Sequence, residues 1–143
     1  MNVHILRHID ADTLSQINSL LHALNPEMPA ITYERLNQII SEDSFHLFVS
    51  ENVKGNIDGM LTLTRCHTLG RSKYWIEDVV VDTASRGKGI GRSLLKAAVT
   101  HVRETEENAV IYLTSNPSRV PARALYSSEG FEKYDTGVFR INL

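Results

Sequence analysis

A mixed α/β sandwich, with helices packed on a central sheet, is the fold class this sequence predicts, and three observations predict it. Strand-like and helix-like periodicities alternate along the whole chain. In the second half, a strand, a glycine-rich loop, a helix and a further strand follow one another. That order is a βαβ crossover, so its two strands should be parallel. The rest of the sheet should be largely antiparallel. The chain has 143 residues, 42% hydrophobic and 22% charged. That suits one globular domain over residues 1–143, large enough for its own core.

The elements follow in order. "VHILRHI" reads as a first strand. "ADTLSQINSLLHAL" places Leu14, Ile17, Leu20, Leu21 and Leu24 on one helix face. "NPEMPAI" interrupts with two prolines, and "TYERLNQII" resumes a helical pattern. "FHLFVSE", the turn "NVKGN" and "IDGMLTLTRCHT" read as a hairpin, and the branched and aromatic "YWIEDVVVD" as a strong strand. After the glycine loop comes a helix of about 15 residues with Ile90, Leu94, Leu95, Ala98 and Val102 inward. "AVIYLTS" is a buried strand. "PARALYSSE" is a short helix, with Pro121 in its first turn and Gly130 as its stop. "FEKYD" and "VFRINL" are expected to close the sheet as a hairpin around Thr136 and Gly137.

Charge and cysteine usage exclude several function classes. Net charge is −2, which argues against nucleic-acid binding. Residues 1–60 carry three Lys or Arg against eight Asp or Glu, and residues 61–143 twelve against nine. This polarity either draws a cation to one part and an anion to the other, or reflects scattered surface charge. The single cysteine, Cys66, forms no internal disulfide and suits a reducing compartment; a small buried residue is the plainer reading of it than a nucleophile. "MNVHILRHID" lacks a signal pattern and no apolar run approaches a membrane span, so a cytoplasmic protein without membrane partners is expected. The six histidines form no H-E-x-x-H or Cys/His cluster, so no metal site is expected. His46 and His67 are read as surface or hairpin residues.

"SRGKGIGRSLL", residues 85–95, concentrates three glycines and three basic residues where a helix begins. The first N–H groups of a helix have no partner within it, and with the helix dipole they form an anion site. Glycines at 87, 89 and 91 let an anion approach the backbone, and Arg86, Lys88 and Arg92 add charge. Phosphate is the anion that suits this best. The pattern is neither G-x-x-x-x-G-K-[ST] nor G-x-G-x-x-G. Taken alone, the loop fits either a phosphate cradle or a turn with solvated basic residues.

The wider stretch "IEDVVVDTASRGKGIGRSLL" resembles the acetyl-coenzyme A motif of the GCN5-related N-acetyltransferase (GNAT) family, whose [RQ]-x-x-G-x-[GA] corresponds to Arg86-Gly87-Lys88-Gly89-Ile90-Gly91. "ARALYSSEGF" is similar to the family's A-x-x-[FL]-Y-x-x-x-G-F, ending at Phe131. Both motifs lie in the family's order, and the element order matches over essentially the whole chain. The resemblance implies the GNAT fold, in which the strand before the loop splays from its parallel neighbour and the cofactor enters the gap. It implies acetyl-CoA as co-substrate and no metal. Backbone amides from Gly87 through Ile90 to Arg92 would hold the pyrophosphate. Val79, Val80 and Val81 would flank the pantetheine arm like an added strand. The family often has Asn three residues before the alanine of its second motif; Arg119 stands there, and Asn116 is near enough in sequence to substitute.

Transfer to an amine requires a base for the substrate ammonium and an acid for the departing thiolate. Glu77 is the candidate base, acting through water. Strict alternation puts it on the face of Val79 and Val81, and the pair Glu77-Asp78 resembles the "ED" of polyamine-type members. An ion-paired sheet carboxylate is the bland alternative. Alternation turns Asp78 the other way. Tyr126, the tyrosine of the second motif, is the candidate acid. An amide near Val79 is the candidate oxyanion donor. In the family, acceptor choice belongs mainly to the first two helices and the loops near them, which implies about residues 22–36 and the "CHTLGRSK" hairpin here. Glu27, Glu34, Glu42 and Asp43 either attract a cation there or are solvated. The expected acceptor is a small-molecule primary amine, with a protein amine as the other class the family serves. A non-catalytic acyl-CoA-binding or sensing module of the same fold is the alternative function. Dimers are common in the family, so a homodimer is open.

Overall fold

The computed structural model describes all residues, 1–143. Five strands form one sheet in the order β1 (Asn2–Ile5), β2 (Phe45–Glu51), β3 (Ile57–Cys66), β4 (Lys73–Val81) and β5 (Val110–Leu113). Each pair is antiparallel except β4 with β5, which is parallel, as the crossover through α3 (Ile90–Thr105) requires. Helices α1 (Ala11–Leu24) and α2 (Tyr33–Ile40) cover one face; α3 and α4 (Val120–Ser128) cover the other.

The helices form where the sequence supplies apolar stripes and caps. Asp10 caps α1 by accepting from the Thr13 N–H at 2.7 Å, and Thr32 caps α2 by accepting from the Arg35 N–H at 3.2 Å. Asn18 makes two hydrogen bonds to the backbone of Ile31, donating at 3.0 Å and accepting at 2.8 Å. These bonds fix the proline-containing connection between α1 and α2 over the sheet. The first face buries Ile17, Leu20, Leu36 and Ile40 against Leu47, Val49, Met60 and Val80. The second buries Ile90, Leu94, Leu95, Ala98 and Val102 against Phe48, Leu61, Leu63, Tyr74 and Ile76. At its far end, α3 is tied to the sheet by Glu106. Its carboxylate accepts from Ser72 at 2.8 Å and Tyr74 at 3.2 Å and pairs with Arg65 at 2.6 Å. No helix is long and apolar enough to cross a membrane.

The expected closing hairpin does not form. Residues 131–143 contain no strand, and Val138, Phe139, Ile141 and Leu143 are exposed. Alternating apolar residues give only a tendency to extend; a strand also needs an edge to pair with. Here the segment meets the sheet through side chains, with Tyr134 edge-on to Tyr112 of β5 at 6.0 Å. Cys66 is exposed, contrary to the buried reading.

Candidate active site

The parallel ladder between β4 and β5 covers only Lys73–Ile76 against Val110–Leu113. Beyond it, residues 77–81 have no partner on the β5 side, so the two strands splay. A groove of about 640 Å³ opens here, walled by Val79, Val80 and Val81, floored by the glycine loop, and closed by Arg119, Pro121, Ala122, Leu125 and Tyr126 of the α4 region.

The loop presents main-chain donors to this groove. After Arg86, the N–H groups of residues 87–92 make no hydrogen bond within the protein, and Gly89 caps α3 without a side-chain acceptor. Gly87 and Gly89 have φ of +78° and +80°, a region that side chains rarely enter, and a Cβ at either would project into open space. Gly91 differs: its φ is not positive, and a Cβ there would stand 3.1 Å from Leu125 Cδ2, where α3 comes close to α4. The basic side chains are unequally free. Arg92 pairs with Glu129 at 2.6 Å and donates to Ser128 at 3.1 Å, so its charge is engaged with α4. Arg86 donates through Nε to the Val81 carbonyl at 3.3 Å, closing the loop onto β4. Arg119 lines the groove, whereas Lys88 and Asn116 do not. Asn116 instead accepts from the Ser118 N–H at 2.9 Å in the turn before α4.

Tyr126 is buried and lines the groove. Its orientation follows from how α4 ends. Gly130 takes φ +89°, the Phe131 N–H donates to the Tyr126 carbonyl at 3.0 Å, and the Gly130 N–H donates to that of Ser127 at 3.1 Å. This is a Schellman motif, and the accompanying apolar contact is Tyr126 against Phe131, ring centres 6.3 Å apart. The spacing Y-x-x-x-G-F is therefore a helix stop that locks the tyrosine. Burial holds the Tyr126 hydroxyl above the ordinary phenol range, against a smaller opposing pull from Arg119.

Glu77 lies elsewhere than alternation places it. Between Met60/Thr62 of β3 and Glu77/Val80 of β4 the register slips: Met60 faces Val80 while Thr62 faces Glu77. One extra residue therefore sits in β4, a bulge, with Asp78 at φ +51°. The bulge flips the parity. Tyr74 and Ile76 face α3, and beyond the bulge so do Val79 and Val81, while Val80 turns to α1 and α2. Glu77, opposite Thr62, thus lies on the α1–α2 face and does not share the face of Val79 and Val81. Asp78 does not turn away either: its Oδ2 accepts from Thr62 Oγ1 at 3.0 Å on that same face. Desolvation, then the neighbouring Asp78 charge, raise the Glu77 carboxyl above the ordinary carboxylate range.

Ala23 and Leu24, the C-terminal turn of α1 and part of the segment 22–36 expected near the acceptor, line the groove. The apolar stripe that ends at Leu24 marks that turn as packed, and only the three-dimensional arrangement shows against what. His46 packs edge-on against His101 at 4.4 Å under α3 and does not line the groove; nor does His67. No group of three or more His, Cys, Asp or Glu is placed to hold a metal ion.

Comparison with known proteins agrees with this geometry. The model of the acetyltransferase (GNAT) family matches residues 11–131. A mycothiol acetyltransferase of Propionibacterium freudenreichii subsp. shermanii is 30% identical over 140 residues, 93% of this chain and 44% of that protein. The chain thus spans less than half the length of that relative. The N-alpha-acetyltransferase RimI of Mycobacterium tuberculosis is 25% identical over 133 residues, 93% of this chain and 79% of that protein. Among solved structures, an aminoglycoside acetyltransferase from an uncultured soil metagenomic sample superposes with a TM-score of 0.86 at 20% identity, over 99% of this chain and 95% of that one, which speaks to fold. With the family model covering most of the sequence and the splayed strands, glycine loop and locked tyrosine in place, the chain belongs to the GNAT acetyltransferase family.

Proposed function

We propose that the protein is an acetyl-CoA-dependent N-acetyltransferase acting on a primary amine of a small molecule. The observation that carries this reading is the run of unpaired N–H groups at residues 87–92, opening onto the gap between β4 and β5. Diphosphate is the ligand such donors suit, with Arg86 and Arg119 as further cations, and an extended amide chain suits the free edge of residues 79–81. Bound acetyl-CoA would supply the thioester acyl group. Glu77, with its raised pKa, takes the ammonium proton through a water more readily than an ordinary carboxylate. Tyr126 stays protonated at neutral pH and donates to the leaving thiolate. The Val79 amide, beside the bulge, stabilises the developing oxyanion. Support for a small acceptor comes from relatives and neighbours named for mycothiol and aminoglycosides.

Thiol release from acetyl-CoA, measured over a panel of polyamines, aminoglycosides, amino-acid derivatives and peptide N-termini, tests the proposal. Turnover with one small-amine class is expected. Turnover confined to peptides would move the acceptor to protein amines. Calorimetric binding of acetyl-CoA with no amine turned over would favour a sensing module.

A further inference from the structure

The bulge in β4 carries a left-handed aspartate, a conformation that strains a non-glycine residue, least of all Asp and Asn, whose short side chains bond locally. What compensates is visible. The buried Thr62 hydroxyl donates to Asp78 across the two strands, at the point where their register slips. Without the extra residue, Glu77 would share the face of Val79 and Val81. With it, residues 79–81 still wall the groove while Glu77 lies on the face covered by α1 and α2.

We propose that Thr62 and Asp78 form a latch that positions Glu77: their hydrogen bond holds the bulge, and the bulge sets the carboxylate on the acceptor side of the sheet. This rests on the reading of Glu77 as base. Asp78 is bonded to Thr62 and does not line the groove, so its part is that of a positioning residue. Its charge has a second effect on the same neighbour. Desolvation and then the neighbouring Asp78 carboxylate favour the protonated Glu77 carboxyl.

Four variants test the latch: Glu77→Gln, Thr62→Val, Asp78→Gly and Asp78→Asn. Each is assayed from pH 5 to 9 with the most active amine of the panel, and the Glu77 carboxyl is titrated by carbon-13 NMR, which needs no acceptor. Thr62→Val and Asp78→Gly remove the bond, the latter without backbone cost at positive φ. Both should lower kcat roughly ten- to a hundredfold, with KM for acetyl-CoA near wild type. Asp78→Asn keeps an acceptor for Thr62 and tolerates the left-handed region. It should retain kcat on the alkaline plateau while the Glu77 titration and the acid limb of the profile move to lower pH. Wild-type kcat on the alkaline plateau in both bond-deleted variants, with Glu77→Gln impaired, would overturn the latch and leave the base reading standing. Wild-type turnover in Glu77→Gln would overturn the base reading, and the latch's purpose with it. If Thr62→Val fails to fold, the two Asp78 variants decide the matter.

Discussion

Replacing Gly59 by alanine probes the packing that seats the mouth of α3. Gly59 lies in β3 beneath the first turn of that helix. A methyl group built on it would stand 2.7 Å from Ile90 Cγ2, 3.2 Å from Leu94 Cδ1 and 3.4 Å from the Val80 carbonyl oxygen. Favourable carbon–carbon contact is at about 3.5–4.0 Å, so the nearest contact is short by about 1 Å. Ile90 cannot swing its Cγ2 aside, because a β-branched side chain in a helix has one strongly preferred rotamer. The first turn of α3 must therefore lift. Overpacking of this kind costs about 1–3 kcal/mol. The lower entropy of the unfolded alanine chain offsets about 0.4–1 kcal/mol. Mid-range values leave a net loss of about 1.3 kcal/mol. At about 3 °C per kcal/mol for a chain of this size, Tm should fall by about 4 °C. The same turn carries the N–H donors of residues 90–92, so acetyl-CoA affinity should fall as well. Thermal melts followed by circular dichroism, together with calorimetric titration of acetyl-CoA, measure both. Gly91→Ala is the internal contrast for stability. Its nearest obstacle is the free end of Leu125, which can rotate, and alanine favours the helix, so Tm should hold or rise. A Gly59→Ala protein with wild-type Tm and wild-type affinity would show that α3 is not held at this contact, and the account of how the loop is positioned would fall with it.

Gly89→Val should abolish calorimetric binding of acetyl-CoA, because a branched side chain at φ +80° both strains the backbone and projects into the open space of the cradle; unchanged affinity would reject the loop as the binding element. Tyr126→Phe keeps the ring against Phe131 and removes only the hydroxyl, so turnover should drop by roughly a hundredfold with acetyl-CoA affinity nearly unchanged; a large loss of affinity at normal turnover would contradict the acid role. His46 and His101 are both held below the ordinary imidazole range, chiefly by desolvation. The unfolded chain then takes up their protons first. Stability should be constant above the unfolded value of about 6.5 and decline as pH falls below it, and His46→Gln should flatten that slope in thermal melts between pH 5 and 7.

Most of the architecture was legible because it follows from local periodicity. The stripe Ile90, Leu94, Leu95, Ala98 and Val102 is what α3 buries, and the strand, loop, helix and strand order gave the parallel pair, while its splay was implied by the family resemblance. The closing hairpin was misread because strand tendency in "VFRINL" says nothing about whether an edge accepts it. The three glycines of the loop look alike in sequence and all line the groove, but only Gly87 and Gly89 take positive φ, while Gly91 sits where α3 comes close to Leu125.

Glu77 shows where period-two reasoning fails and what the failure means. Parity counts residues, and a bulge spends one residue without advancing along the partner strand. No residue type announces it, although Asp is among the few non-glycine residues that take a left-handed conformation at low cost. A regular strand can offer alternate residues to two faces, but it cannot turn consecutive odd positions to opposite sides. β4 has to do so, with Val79 and Val81 at the groove and Glu77 over the other face. One inserted residue, held by a threonine hydroxyl 3.0 Å away, is the smallest change of backbone that meets both demands. The position that sequence alternation got wrong is therefore the one at which the strand gives up regularity, and on the proposed function it does so to place a base.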